Sequence, residues 1–278
     1  RNYNVSMRKG GRSYMRLCRK ILAISFKEKS IFRFDYIVGT VFAFLYIVLK
    51  VYLWKGLYGT GGKAIGGITL NSMIVYSIIA GFTEGITKTT VMKDLNDSVL
   101  DGTISANMLL PIGLKRYMFI QSVTRNLFRT LYGMLPSVAA AMFVFSFHVN
   151  VNLVNLFLYL SSACMGVVIN FLYNFLFGSS VIWLRNSFFL SNINSVLLSL
   201  FSGAFVPVWF FPEGLKELLR FLPFRYIVFE PAAIFVNAKS PQEAVAVLGM
   251  QLIWIGLLFG AVTLVWNRGR HKIMIQGG

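Results

Sequence analysis

Charge is scarce in this sequence. Of 278 residues only 13% are Asp, Glu, Lys or Arg, while 56% are hydrophobic; soluble domains carry roughly 25% charged residues. A chain this poor in charge has too few polar groups to cover a globular surface in water, in keeping with a mean hydropathy of +0.66. Acids are scarcer still: 10 Asp and Glu stand against 27 Lys and Arg, for a net charge of +17. The two cysteines, Cys18 and Cys164, lie in separate segments, so neither a disulfide framework nor a zinc motif is supported. The two histidines, His148 and His271, fall near opposite faces of the topology developed below, and no metal site is expected. The motifs HExxH and GxSxG do not occur. The segment from Gly56 to Lys63 resembles a phosphate loop only superficially. The position that needs its first glycine is Leu57, and Ala64 stands where a hydroxyl must reach magnesium. Glu213 and Glu217 are flanked by Lys216 and Arg220 and read as a solvated charged face. Catalytic residues are not expected.

What the chain does have is long apolar runs, such as Ile37–Leu49 and Ala244–Trp266. In lipid every backbone polar group must be satisfied internally, which leaves helices or closed barrels. Barrel strands would alternate apolar and polar positions, and these runs do not. The fold class expected is an all-α membrane protein, a single transmembrane domain over residues 1–278. A span needs about 20 mostly apolar residues. That places six spans near Asp35–Leu53, Ile68–Thr87, Phe119–Phe147, Leu153–Phe177, Phe188–Trp209 and Ala244–Trp266. The third exceeds one bilayer thickness, so it either begins as a cytoplasmic helix or tilts. About 30 mostly polar residues precede the first run, so no cleavable signal peptide is expected.

The excess of positive charge could suit nucleic acid, but its location argues against that partner. Ten of the Lys and Arg residues lie in the first 33 positions, as in a segment resting on an anionic cytoplasmic leaflet. With both termini in the cytoplasm, the inner side holds 18 Lys and Arg and the outer side holds 7: Lys50, Lys55, Lys63, Lys216, Arg220, Arg225 and Lys239. This is the expected bias for that orientation. Within residues 1–34, Arg12, Arg16, Arg19, Lys20 and Lys27 share an arc of roughly 100° on a helix, opposite Leu17, Ile21 and Leu22. The segment reads as an interfacial amphipathic helix in contact with lipid, or simply as a topology signal; the two are compatible.

Residues 88–117 form the longest cytoplasmic connection. Met92, Leu95 and Val99 make an apolar stripe, and Asp94, Asp97 and Asp101 an acidic one with the same spacing, before Gly102 interrupts the helix. Such a helix suits docking in a partner's groove or lying on the membrane. Residues 207–238 read as an outer hairpin. Pro207, Pro212, Pro223 and Pro231 cut the segment into pieces too short to span, and its many aromatics would form a large apolar patch if left in water.

Three spans carry polar stripes. Asn192, Ser195, Ser199 and Ser202 share a face of the fifth; Ser77, Gly81 and Glu84 share one of the second. Both stripes either line a pathway or face another subunit, or else pack helices. Ser162, Gly166, Asn170, Asn174 and Gly178 of the fourth read as close helix packing. Glu84, Arg125 and Arg129 are costly inside a membrane and tend to pair, so a structural ion pair between Glu84 and one of these arginines is expected.

The chain resembles the permease subunits of ABC-2 type ABC transporters, especially a group of bacterial permeases of about this length. Four features carry the resemblance over nearly the whole chain: the basic amphipathic helix; Asp101-Gly-Thr-Ile-Ser-Ala-Asn-Met-Leu-Leu-Pro-Ile112 after the second span; Ser202-Gly-Ala-Phe-Val-Pro-Val-Trp-Phe-Phe-Pro212 followed by Leu222-Pro-Phe224 and Glu230-Pro231; and the ending Ile273–Gly278. Leu110 departs from relatives that place Arg before the proline.

The resemblance implies a bacterial cytoplasmic-membrane exporter subunit for a drug, lipid, glycan or peptide. It would be paired with a second permease chain, identical or related, and docked on two separate ABC ATPase subunits that hold ATP and magnesium. It makes Asp94, Leu95, Asp97, Val99, Asp101 and Gly102 the ATPase coupling element. It also adds weight to the Asn192–Ser202 stripe as a pathway or dimer face. The competing expectations are a secondary transporter or channel without an ATPase, and a membrane scaffold.

Overall fold

The computed structural model describes residues 33–59, 64–65, 67–110, 112–145, 152–184 and 188–276. The interfacial helix expected over Arg12–Lys27 lies outside them. Every regular element among the described residues is helical, apart from one antiparallel bridge between Ile65 and Ile68.

Four helices are long and apolar enough to cross a membrane: Val38–Tyr58, Leu114–Phe145, Leu153–Trp183 and Pro241–Gly269. The first belongs to α1 (Arg33–Tyr58). The second is continuous from α5 (Leu114–Arg129) through a π-helical turn at Thr130–Met134 into α6 (Leu135–Phe145). Pro136 explains the turn. A proline lacks the amide that would bond the carbonyl four residues back, and its ring crowds that carbonyl. The freed carbonyl is that of Tyr132, and it accepts the Thr40 hydroxyl of α1 at 2.7 Å. Ser137 returns the link, donating to the Thr40 carbonyl at 2.9 Å.

α2 (Leu70–Thr87) starts at Thr69, whose hydroxyl accepts from the Ser72 amide at 3.3 Å. It is covered on most sides, with Met73, Tyr76 and Ala80 almost wholly buried. α7 (Leu153–Gly178) is the central post, contacting α2, the outer hairpin and the last helix. That last helix, α12 (Pro241–Gln276), opens with Ser240, Pro241 and Glu243. The Ser240 amide donates to the Glu243 carboxylate at 2.7 Å, and the Glu243 amide donates back to the Ser240 hydroxyl at 3.3 Å. This reciprocal cap, with proline at the first helical position, fixes where α12 begins.

The connection after α2 folds into α3 (Val91–Leu100) and α4 (Ile104–Met108). A short turn, α8 (Val181–Leu184), leads to α9 (Phe188–Phe201). α9 has 14 residues, about 21 Å of rise, so the helix is shorter than the expected fifth span Phe188–Trp209. It stops because the chain turns at Gly203, where φ is +82° and an added Cβ would lie 2.7 Å from the Phe229 Cβ. The carbonyls at this turn are claimed from outside the helix. Phe229 N–H donates to Ser202 O at 2.9 Å, and the Tyr76 hydroxyl donates to Gly203 O at 2.9 Å.

The hairpin segment after α9 is a chain of short helices: a 3-10 turn at Val208–Phe210, α10 (Glu213–Arg220), a second 3-10 turn at Phe224–Tyr226, and α11 (Phe229–Phe235). Most of its aromatics pack inward, Phe221 being the exposed exception. Phe210 stacks on Trp54 at 5.4 Å, Trp209 lies 4.8 Å from Tyr76, and Phe224 meets Tyr173 edge-on at 5.3 Å. Glu213–Lys216 and Glu217–Arg220 form exposed i,i+3 pairs, as a solvated face requires. Glu230 is different: 2% exposed, it is paired with Arg225 and Lys239. Burial, with the Glu230 carboxylate adding to it, pushes the neighbouring Tyr226 phenol above its ordinary range.

Candidate functional site

The three polar stripes meet. A cavity of about 280 Å³ lies between α2, α7 and α9, with Ile227 and Val228 of the hairpin on its outer side. α2 contributes Glu84 and Thr87 from its last turn, and Lys88 follows them. α7 contributes Asn170 and Asn174, and α9 contributes Ser195, Ser199 and Ser202. The α9 hydroxyls are anchored locally, Ser195 on the Ser191 carbonyl and Ser199 on the Val196 carbonyl, each at 2.9 Å. Their lone pairs remain available to the cavity.

Behind the cavity runs a line of amides. Asn170 donates to the Thr87 carbonyl at 2.8 Å, Asn174 to Asn170 Oδ1 at 2.7 Å, and Asn194 of α9 to Asn174 Oδ1 at 2.9 Å. The Asn194 amide also lies 3.8 Å from Met92 Sδ of α3. This line ties α2, α7 and α9 to α3. Asn170 and Asn174, read from spacing as packing residues, therefore pack and line the cavity at once.

Two of the residues expected to line a pathway or face another subunit do not line this cavity. Ser77 is buried away from the cavity and donates to Met73 O of its own helix at 2.9 Å. Asn192 is exposed on the outward face of α9. The buried asparagine is Asn194, two positions on, which the i, i+3, i+7 stripe does not include.

α3 corrects the reading of the coupling loop. Its apolar stripe does not face a partner. Leu95 is fully buried and Met92 nearly so, and both meet α7 at Gly178. An added Cβ there would stand 3.0 Å from Met92 Cα and 3.1 Å from Leu95 Cδ1, so glycine is what lets the two helices touch. Nor do the three aspartates form one stripe in function. Asp94 is partly buried, accepts from the Thr90 hydroxyl at 3.2 Å, and is ion-paired with Arg125 of α5. Val99 is half-buried, while Lys93, Asp97, Leu100 and Asp101 are exposed. The helix closes at Gly102, whose φ of +71° ends the turn.

Of the two arginines expected to pair with Glu84, Arg125 is taken by Asp94. α3 crosses below α5 and delivers Asp94 to the guanidinium, while Glu84, on the last turn of α2, faces the cavity. Three further buried polar groups escaped the sequence reading. Lys50, counted there among outer-loop cations, lies inside α1, 8% exposed, with its ammonium on the Ala204 carbonyl. Gln251 of α12 donates to Ser162 O at 3.0 Å and Tyr226 O at 2.8 Å. Glu230 anchors the hairpin. The signal for Lys50 was present: one cation with apolar residues on either side of it.

No catalytic constellation emerges from these contacts, and no cluster of three or more His, Cys, Asp or Glu fit to hold a metal occurs among the described residues. The arrangement is a slot between helices, joined through Asn194 and Met92 to α3. A family model described as ABC-2 family transporter protein matches residues 20–277 of the chain. No curated protein and no solved structure matches it.

Proposed function

The chain belongs to the ABC-2 family of transporter proteins, and from that premise we propose that it is the permease subunit of an ATP-driven exporter whose ATPase is a separate chain. ATP and magnesium would be held by two copies of that ATPase. A second permease, identical or related, would complete the translocation path. The chain would cross a bacterial cytoplasmic membrane six times, with α2 and α9 as the second and fifth spans, both termini inside, and the hairpin dipping into the outer leaflet. α2 falls short of the four long helices in apolarity, and a helix shielded on most sides by its neighbours needs less apolar surface than one facing lipid.

One observation carries the reading: the cytoplasmic helix α3 is bonded both to the third-span helix, through Asp94–Arg125, and to the cavity helix α9, through Met92 and Asn194. A push on the exposed residues Lys93, Asp97, Leu100 and Asp101 would move α3 as a rigid piece, because its other side is locked against Gly178. That movement would shift α9 and α7 relative to α2 and alter the slot between them. At about 280 Å³ the slot matches only the smallest ligand sites, which run from about 300 to 1,000 Å³. It acts here as a gate that widens between two permeases. Such bistable shifts of packed helices are a common route from a local push to a global change.

The test is co-expression with the neighbouring genes, purification in mild detergent, and ATPase assay. The ATPase should co-elute with wild type, and Asp97→Lys with Asp101→Lys should release or uncouple it. A chain that never retains an ATPase would sink the reading in favour of an ion-coupled carrier. The other half of the expected intramembrane pair, Glu84 with Arg129, is carried as part of this proposal. Exchanging the two charges should restore what either single reversal loses.

A further inference from the structure

We propose that the cleft between α1 and the turn after α9 binds an amphiphile with an anionic head, and that Lys50 receives that head. This rests on the permease reading above and names the chemical class of what the permease carries.

The cleft encloses about 660 Å³, within the range of about 300 to 1,000 Å³ typical of small-molecule sites. One wall is a single face of α1, with Leu49, Leu53 and Leu57 at one-turn intervals; the other is Phe205, Val206 and Phe210. These walls suit an alkyl chain. Lys50 is the one charged side chain in the lining. Its ammonium has three donors. One goes to the Ala204 carbonyl, and the Tyr46 ring lies 4.8 Å away. Among the described residues no carboxylate lies within ion-pair distance of it, and Glu84 of α2 acts on it only from farther off. A neutral carbonyl and an aromatic face compensate a buried cation only in part. An anionic head would supply the counter-charge and accept the remaining N–H groups.

Depth selects among amphiphiles. Lys50 lies eight residues before the end of α1 at Tyr58, about 12 Å along the helix axis. A lipid at rest keeps its head in the interfacial layer outside the hydrocarbon core. A charge at this depth is met by a molecule whose head is travelling through the membrane.

The competing role for Lys50 is structural: a cation at the carbonyl end of α9 stabilises that helix end. Glutamine separates the two, since Lys50→Gln keeps a donor for Ala204 and loses the charge. Lys50→Arg keeps the charge. The full chain, co-purified with its ATPase and reconstituted in phosphatidylcholine nanodiscs, is photolabelled with a diazirine-bearing fatty acid, and adducts are mapped by mass spectrometry.

Adducts should concentrate on Leu49–Leu57 and Phe205–Phe210. Dodecyl phosphate and dodecanoate should compete, showing whether phosphate or carboxylate is preferred, whereas dodecanol should not. Lys50→Gln should lower labelling about tenfold or more, the size expected for losing a charge-assisted hydrogen bond, with an unchanged melting temperature, and Lys50→Arg should retain it. Labelling spread evenly round the lipid belt, or unaffected by Lys50→Gln, overturns the proposal. So does disulfide dimerisation through Leu53→Cys, in a background lacking Cys18 and Cys164, that shuts the probe out, because a second copy would then fill the cleft. If the ATPase is retained and labelling fails, only this site is lost. If no ATPase is ever retained, the permease reading itself falls, whatever the labelling.

Discussion

Asp94 and Asp97 are three residues apart on one helix and look equivalent as sequence, yet their removal should have opposite consequences. Asp94 and its partner Arg125 are 26% and 22% exposed at the side chain. Asp94→Ala leaves a mostly buried guanidinium without its carboxylate. Breaking a fully buried pair from one side costs about 3–5 kcal/mol, and hydrogen bonds to charged groups contribute about 1.5–3 kcal/mol. The residual exposure of both groups puts this case nearer the lower range, at about 2 kcal/mol. Proteins of 150–250 residues lose roughly 2–4 °C per kcal/mol, so Asp94→Ala should melt about 4–8 °C lower. Asp97→Ala touches an exposed side chain and should stay within about 0.5 kcal/mol of wild type. Paired with that, Asp97→Lys should uncouple ATP hydrolysis without moving the melting point. The assay is a melting curve in detergent by intrinsic fluorescence, run beside stimulated ATPase activity on the same preparations. Equal melting points for the two alanine variants would refute the division of α3 into an internal and an external face.

Three other perturbations probe separate joints. Gly178→Ala places a Cβ 3.0 Å from the Met92 backbone. This overpacking should cost about 1–3 kcal/mol and, by lifting α3 off α7, should depress coupled ATPase activity more than Asp97→Ala does. Glu230→Gln leaves Arg225 and Lys239 without their shared carboxylate. It should destabilise by about 3 kcal/mol, read as a lower melting point and as faster proteolysis within residues 207–238. Gly203→Ala combines a φ of +82° with a 2.7 Å approach to Phe229 Cβ, and strain of about 1–3 kcal/mol should lower the yield of folded protein in detergent extracts.

The long helices could be read directly from the sequence because lipid imposes one requirement, an unbroken apolar length. α1, the helix through α5 and α6, α7 and α12 satisfy it, and their spans fall within a few residues of those expected. α9 was overestimated because Ser202–Trp209 is as apolar as a span. What ends the helix there is tertiary: the Phe229 amide and the Tyr76 hydroxyl claim the carbonyls that a longer helix would have used. The π turn at Thr130–Met134 depends likewise on Thr40, a residue of another helix, although Pro136 marks the place.

The site was half legible for a related reason. Helical spacing says which residues share a face but not which neighbour covers that face. Ser195, Ser199 and Ser202 do line the slot, while Ser77, on an equally regular stripe, is sealed against other helices. The apolar stripe Met92, Leu95 and Val99 reads in sequence as suited to a partner's groove or to the membrane surface. The partner it found first is its own chain, through a glycine on α7 that spacing alone had assigned to packing between spans. A helix that must transmit a push has to be held on one side by what it moves and left free on the other for what moves it. On the permease reading proposed above, α3 would meet both conditions: burial of Leu95 and the Asp94–Arg125 pair supply the grip, and exposed Asp97 and Asp101 would supply the contact. The acidic residues recognising the ATPase would then be two rather than three, and the third would belong to the permease's own mechanics.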